Sequence, residues 1–307
     1  MLPWKSALFV VLCGLYAACN GAPRVYLGNG PRVSRPADDT IVRVMTFNIA
    51  HGAGVSASPV GVAAENFAHN LTHIAALIRR ENPDIIALQE VDTTSPWSTS
   101  FDSMIFLGRR SGFWHGYLGL HTDINFFGLG PSKIRGGAGL LAKIPLDAPR
   151  SVAFRTDPID SQGFVVARVR PRGFADTPLE VIALHLNPES GATRLEQIDI
   201  LINEVADSPL PRIVMGDFNS TSGAVSAEEY NAPLRRLCAA LKLRPYAPQA
   251  FLPTFPADNP ADRLDWILIS EDLEFIYYET APDVLSDHLP VVAGIALRDT
   301  ARRVNKP

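Results

Sequence analysis

"RIVMGDFNS", residues 212–220, carries the decision about this chain. An apolar run through Ile213, Val214 and Met215 halts at Gly216, and Asp217, Phe218 and Asn219 follow at once. The run has the β-branched character of a buried strand. Asp and Asn are poor strand formers and common turn residues, so alone the pair reads as a turn cap. The pattern recurs, however. "VMTFN" ends at Asn48 and "IIALQE" at Glu90; "VIALHLN" carries His185 and Asn187. "RLDWILIS" sets Asp265 before an apolar run, and "SDHLPVVAG" sets Asp287 and His288 before another. Turn chemistry does not explain so many ionisable and amide groups where buried runs meet loops, because the remaining strand ends mostly show Gly, Pro or Arg.

The chain has 307 residues, 47% of them hydrophobic and 20% charged, as in a soluble globular protein rather than a disordered or polytopic membrane one. A formal charge of -4 is not the footprint of a protein that grips DNA through many phosphates. At the start, Lys5 precedes an apolar core from Ala7 to Ala18. That core is shorter than the roughly 20 residues of a membrane span and suits a secretory signal. It ends in "LYAAC", which resembles a bacterial lipoprotein signal whose Cys19 is lipidated; simple cleavage is the alternative. Export is expected either way, to the periplasm, to the outer membrane as a lipoprotein, or into the medium. Loss of Cys13 with the signal leaves Cys19 and Cys238, so no disulfide framework is expected. The expected layout is a signal at 1–18, a Gly/Pro/Asn-rich tether at 19–40, one domain at 41–298 and a tail at 299–307.

Strands are predicted at 41–48, 84–90, 137–143, 163–170, 179–186, 211–217, 263–270, 273–279 and 288–297, with helices at 66–82 and 193–206. Loops with aromatics fill 93–103 and 121–136. Several strands follow one another with no helix between, so the fold class is α/β, with two mixed sheets packed together and helices outside.

The strand-end residues suit phosphoester hydrolysis assisted by a hard cation. Magnesium takes oxygen ligands, so one or two carboxylates and an amide suffice, and manganese suits the same set. His185 and His288 can touch phosphoryl oxygens or transfer protons. Asp265 is available to fix the His288 tautomer, Asp217 to activate water, and Asn219 to hold a phosphate oxygen.

In order and spacing, "FN", "LQE", "HLN", "GDFN", "LDWIL" and "SDHLPV" resemble the endonuclease/exonuclease/phosphatase superfamily, from about Ile41 to Ile295. The resemblance implies a four-layer α/β sandwich. It also implies that Glu90 is the main metal carboxylate with Asn48 and Asp287 nearby. His288 becomes the catalytic histidine oriented by Asp265, and Asp217 the water-activating acid. Asn219 and Asn187 face the substrate, and His185 stabilises phosphoryl charge. Arg194 and Gln197, in the helix after "HLN", match a pair common in the family and place Arg194 near substrate.

Two departures stand out. Gly137 in "GGAGLLAK" replaces an asparagine that members commonly carry, and Ile49, Ala50 and His51 follow Asn48 where some nucleases place an acidic residue. His51, His69, His73, His115 and His121 have no motif around them and are expected in surface or core roles. The reading is a magnesium-dependent phosphoesterase acting on a lipid or sugar head group by in-line water attack, with no obligate protein partner. An extracellular nuclease acting on nucleic acid and a catalytically silent binding module of the same fold are the alternatives.

Overall fold

The computed structural model describes residues 24–26, 40–56, 58–97, 101–125, 133–156, 162–174, 177–220 and 232–298. The expected signal, Cys19, most of the tether and the tail lie outside the described residues.

The strands run in chain order as β1 (Arg24–Tyr26), β2 (Val42–Asn48), β3 (Ile85–Thr94), β4 (His115–Leu118), β5 (Thr122–Asn125), β6 (Lys133–Ala142) and β7 (Asp147–Ala153). They continue as β8 (Gly163–Val169), β9 (Leu179–His185), β10 (Arg212–Asp217), β11 (Leu243–Pro245), β12 (Asp265–Ser270), β13 (Leu273–Thr280) and β14 (Val291–Leu297). Helices α1 (Ala64–Glu81), α2 (Ser103–Ser111), α3 (Gly191–Val205) and α4 (Ala232–Leu241) lie between them. Among the described residues one sheet is ordered β1-β4-β6-β3-β2-β14-β13 with β5 beside β6, and the other β11-β12-β10-β9-β8-β7.

Three apolar clusters make the layers. Alternate residues such as Val44, Ile85, Ala293, Val181, Met215 and Ile267 face inward and fill the space between the sheets. The opposite face of the first sheet packs on α1 and α2 through Met45, Ile86, Leu71, Ile74 and Leu107. The opposite face of the second packs on α3 and α4 through Val214, Leu184, Ile198 and Leu237. These are the two packed mixed sheets with outer helices that the strand pattern implied, and the four-layer sandwich that the family resemblance implied.

Several elements were missed by periodicity. Helix α2 follows the expected loop at 93–103 and was not predicted; its nine residues bury little more than Met104 and Leu107 among the large apolar groups, too short a run for a clear helical pattern. Asp102 caps it by accepting a hydrogen bond from the Ile105 amide at 2.8 Å. Strands β4, β5 and β11 have only three or four residues; β7 has seven, but none is buried and one is a proline, so it lacks an apolar alternation; α4 was not predicted either. Within the expected tether, Arg24–Tyr26 pairs antiparallel with β4 at the sheet edge.

The pairing sends one set of strand ends to one rim. β2 runs parallel to β3, and β9 parallel to β10. β12 and β14 run antiparallel to these and so begin where they end: Asp265 pairs with Asp217, and Val291 with Thr46. Asp217 also pairs with His185 on its other side.

Gly216 shows why the motif strand needs a glycine before its acid. A Cβ there would lie 1.9 Å from the Leu184 carbonyl oxygen of β9, backbone against backbone. Gly216→Ala is therefore expected to destabilise by about 3 kcal/mol or more. Thermal unfolding should show a fall of roughly 6–12 °C in Tm; an unchanged Tm would mean that the two strands separate easily.

The outer strands of the second sheet carry prolines. Pro149 lies in β7 at the register shift between Asp147 and Arg150, and Pro245 ends β11.

Candidate active site

Asp217 ends β10 on the inner face and is buried with its neighbours Asp265 and His288. The imidazole Nδ1 of His288 lies 2.8 Å from Asp265 Oδ2, and its Nε2 lies 3.7 Å from Asp217 Oδ2. Asp265 is itself fixed by the Thr254 hydroxyl oxygen, which accepts from the Leu264 and Asp265 amides at 3.1 and 3.2 Å. Phe255 packs on the His288 ring with centroids 4.9 Å apart. On the other side, His185 Nε2 stands 3.8 Å from Asp217 Oδ2. Two histidines, one at the end of β9 and one in the segment before β14, thus face one carboxylate.

Asn219 turns back through a left-handed backbone (φ 48°), so that its amide donates to Asp217 Oδ1 at 2.8 Å. Its side-chain nitrogen donates to the Leu186 carbonyl at 2.8 Å. Asn48 joins the two sheets: its Nδ2 donates to Glu90 Oε1 at 3.1 Å and to Asp217 Oδ2 at 3.0 Å. The family resemblance placed Asn48 among the cation's oxygen ligands. Here its oxygen accepts from the Ala50 amide at 3.0 Å, because only the NH2 end can satisfy two carboxylates.

Glu90 sits at a bulge. The β3–β6 register slips between Leu88 and Val91, and Glu90 takes φ 54°. The extra residue re-aims its side chain from the sheet toward the rim. Left-handed residues gather here, with Ala50, His51, Glu90 and Asn219 all around one cleft, where backbone strain commonly marks function. Asp287, half-buried beside Ser286, lies near enough for its charge to act on both His51 and His288.

His51 was expected to be an ordinary surface or core residue, and the structure corrects that expectation. Its Nδ1 lies 3.0 Å from Asp92 Oδ1 and its Nε2 3.3 Å from Glu90 Oε2. Asp92 Oδ2 accepts from the Trp97 indole at 2.8 Å. A second Asp–His pair thus faces the first across the cleft. The only signal in the sequence was the closeness of His51 to Asn48.

The remaining predicted residues support the walls. Asn187 Oδ1 accepts from the Glu189 and Ser190 amides, both at 2.9 Å, and so shapes the turn into α3. Arg194 is buried, and its Nη1 donates to the Asn187 and Pro188 carbonyls at 3.0 and 3.3 Å. Gln197 Oε1 accepts from the Asn187 amide at 2.8 Å. These groups hold the loop after His185. At Gly137, the space for a side chain is closed by the Gly119 carbonyl oxygen, 2.2 Å from a would-be Cβ, and by His121 Nδ1 at 2.9 Å.

The electrostatics sort the groups. Burial opposes the charged form of His288, but Asp265 and Asp217 outweigh it and push the imidazole up to about 10. Burial likewise opposes charge on His51, and Asp92 with Glu90 pushes it up to about 9. Burial raises Asp217, and His288 pulls it partly back, leaving it at about 6. Glu90 is held below the usual carboxylate range: burial opposes this, but His51, His185 and the Asn48 hydrogen bond prevail. Near neutral pH the site therefore offers the ionised carboxylates of Glu90 and Asp217 beside the protonated imidazoles of His51 and His288.

A cation has two candidate places. Asp217, Asp265 and His288 bring donor atoms within 4.8 Å of one another, but all three are buried and His288 is already hydrogen-bonded to Asp265. Glu90 with Asp287 is the better fit. Both are partly exposed, and an all-oxygen donor set suits a hard divalent ion.

A profile of the Endonuclease/Exonuclease/phosphatase family matches residues 45–288. No curated protein matches the chain. Among solved structures, the endonuclease/exonuclease/phosphatase from Beutenbergia cavernae DSM 12333 is similar with a TM-score of 0.68 and 24% identity, over 84% of this chain and 72% of that one. The human Nocturnin catalytic domain matches at a TM-score of 0.58 and 20% identity, over 84% and 94%. A mannosyl-6-phosphatase from Bacteroides thetaiotaomicron VPI-5482 matches at 0.59 and 14%, over 83% and 100%. With the profile running from β2 to His288 and the sandwich shared, the chain belongs to the endonuclease/exonuclease/phosphatase family, the metal-dependent hydrolases of phosphoester bonds.

Proposed function

We propose that the chain is an exported, magnesium-dependent phosphoesterase acting on lipid or sugar head-group phosphoesters by in-line water attack. The observation that carries the chemistry is the Asp265–His288–Asp217 line, with His185 and Asn48 also directed at Asp217. Asp217, ionised above about 6, accepts a proton from the attacking water. His288, protonated at neutral pH, faces the phosphoryl group as an acid, and Asp265 holds its tautomer. His185 and the Asn219 carboxamide border the same volume and steady the phosphoryl oxygens. When bound by Glu90 and Asp287, magnesium supplies neutralisation of the charge that develops on those oxygens.

The preference for lipid rests on the rim. The large hydrophobic residues exposed among the described residues are Val55, Val60, Phe251 and Val284. Val55 and Val60 follow the turn at the end of β2, Phe251 lies between β11 and β12, and Val284 lies between β13 and β14. Val55, Val60 and Phe251 are on loops that join strand ends at the rim of the cleft, whereas Val284 follows Asp283, which pairs with Arg80 in the last turn of α1. An apolar fringe on a chain of net charge -4 favours a substrate with acyl chains over a polyanion. Lys5 and the apolar Ala7–Ala18 segment support export, and Cys19 supports a lipid anchor beside such a substrate.

The test is a substrate panel of phospholipid vesicles, sugar phosphates and plasmid DNA, run in EDTA and after adding back magnesium or manganese. The expected result is head-group release that EDTA abolishes and magnesium restores. DNA cleavage at lower enzyme levels would replace the lipid reading with the nuclease. Inertness toward the whole panel and toward bis-p-nitrophenyl phosphate would leave a binding module.

A further inference from the structure

The outer face of α1 carries a pair of donors that the hydrolytic site does not use. His69 and His73 are one turn apart, with their Nε2 atoms 3.1 Å from each other and ring centroids 4.5 Å apart at 69°. Of the seven histidines in the chain they are the two left exposed. Leu71, Ile74 and Ile78 bury the opposite face of the helix against the first sheet, so the pair points away from the cleft. Glu65, also exposed, lies one further turn toward the helix start.

We propose that His69 and His73 form a surface binding site for one late first-row divalent ion, Cu2+, Ni2+ or Zn2+, separate from the catalytic cation. Metal–imidazole bonds are about 2.0–2.1 Å. Two nitrogens on one ion at angles between a right angle and the tetrahedral angle are then about 2.8–3.4 Å apart. The observed 3.1 Å falls within that range, so the helix holds both nitrogens at chelating distance before any ion arrives. Without an ion, the same approach is a hydrogen bond in which one ring donates to the other; when a metal binds, that proton passes through water to Nδ1 of the donor ring, so that two neutral imidazoles present Nε2 to the ion. The ligand chemistry sorts the ions: imidazole favours copper, nickel and zinc, whereas the carboxylates of the cleft favour magnesium. The i, i+4 spacing brings the rings together only in a formed helix, so the ion binds the folded chain and stabilises it.

The experiment uses the whole chain in saturating magnesium. Titration with Cu2+ or Ni2+ is followed by calorimetry, thermal unfolding and, for copper, electron paramagnetic resonance. The expected result is one ion per chain, a two-nitrogen copper signal, and a rise in Tm of about 5–10 °C at a hundredfold excess over Kd. His69→Gln with His73→Gln should lose all three and keep full phosphoester hydrolysis. His69→Gln with Ala76→His rebuilds a pair at i, i+3 and should recover the signal. Equal stoichiometry and equal Tm shift in the wild type and the double glutamine variant would overturn the site, whatever the hydrolysis assays show.

Discussion

His288→Ala is expected to lower kcat/KM for phosphoester hydrolysis by about 10²–10⁴-fold, the range for loss of a positioned proton-transfer group. Asp265→Asn should approach that loss with the imidazole still present, because Asp265 Oδ2 fixes the ring at 2.8 Å and an amide favours the other tautomer. Retention of activity within threefold in both variants would remove His288 from the chemistry. A stability signature should accompany the loss. The folded imidazole is raised from 6.5 to about 10, so its stabilising contribution is complete below pH 6.5 and disappears as pH rises through about 10. In EDTA, the Tm of the wild type should thus fall across that window by more than the Tm of His288→Ala. The opposite order would mean that the Asp265 and Asp217 charges do not hold the proton.

Arg212→Ala is expected to have the largest effect on stability. Arg212 opens β10 and pairs in register with Glu180 on β9; both are 4% exposed. Its Nε donates to Glu180 Oε2 at 3.1 Å, and its Nη2 donates to the Val205 and Ser208 carbonyls at the end of α3, both at 2.9 Å. Truncation leaves a buried carboxylate and helix-end carbonyls without a donor. The cost is about 3–5 kcal/mol, or roughly 6–20 °C in Tm. The exposed pair Arg80–Asp283, although bidentate at 2.8 and 2.6 Å, should change stability by less than about 1 kcal/mol when removed. Urea unfolding of the two alanine variants side by side gives the comparison. Equal midpoints would mean that water reaches the Arg212 pair.

The strand ends were legible because each broke an apolar run with a group that a sheet does not favour. Asn48, Glu90, His185, Asp217, Asp265, Asp287 and His288 stood out in this way, and the pairing of β9, β10 and β12 carries three of them side by side. His51, Asp92 and Trp97 were illegible for the converse reason. Asp92 lies in β3 beyond Glu90, past the end of the apolar run, and the strand continues there through the bulge at Glu90. His51 faces the cleft through a left-handed backbone that no periodicity signals. Arg194 reads as a substrate contact by motif, yet its Nη1 is committed to the carbonyls of Asn187 and Pro188, which only coordinates reveal.

The prolines at the borders of the second sheet bear on how this protein behaves in a crowd. A free strand border is a template on which another chain can add itself, the first step toward fibrils or precipitate. Pro149 removes an amide donor from β7 where the strand is already out of step, and β11 is three residues long and closes on Pro245. Neither border of this sheet can propagate a ladder, so molecules crowded together should not join through it. Pro149→Val is the change that would invite them to polymerise.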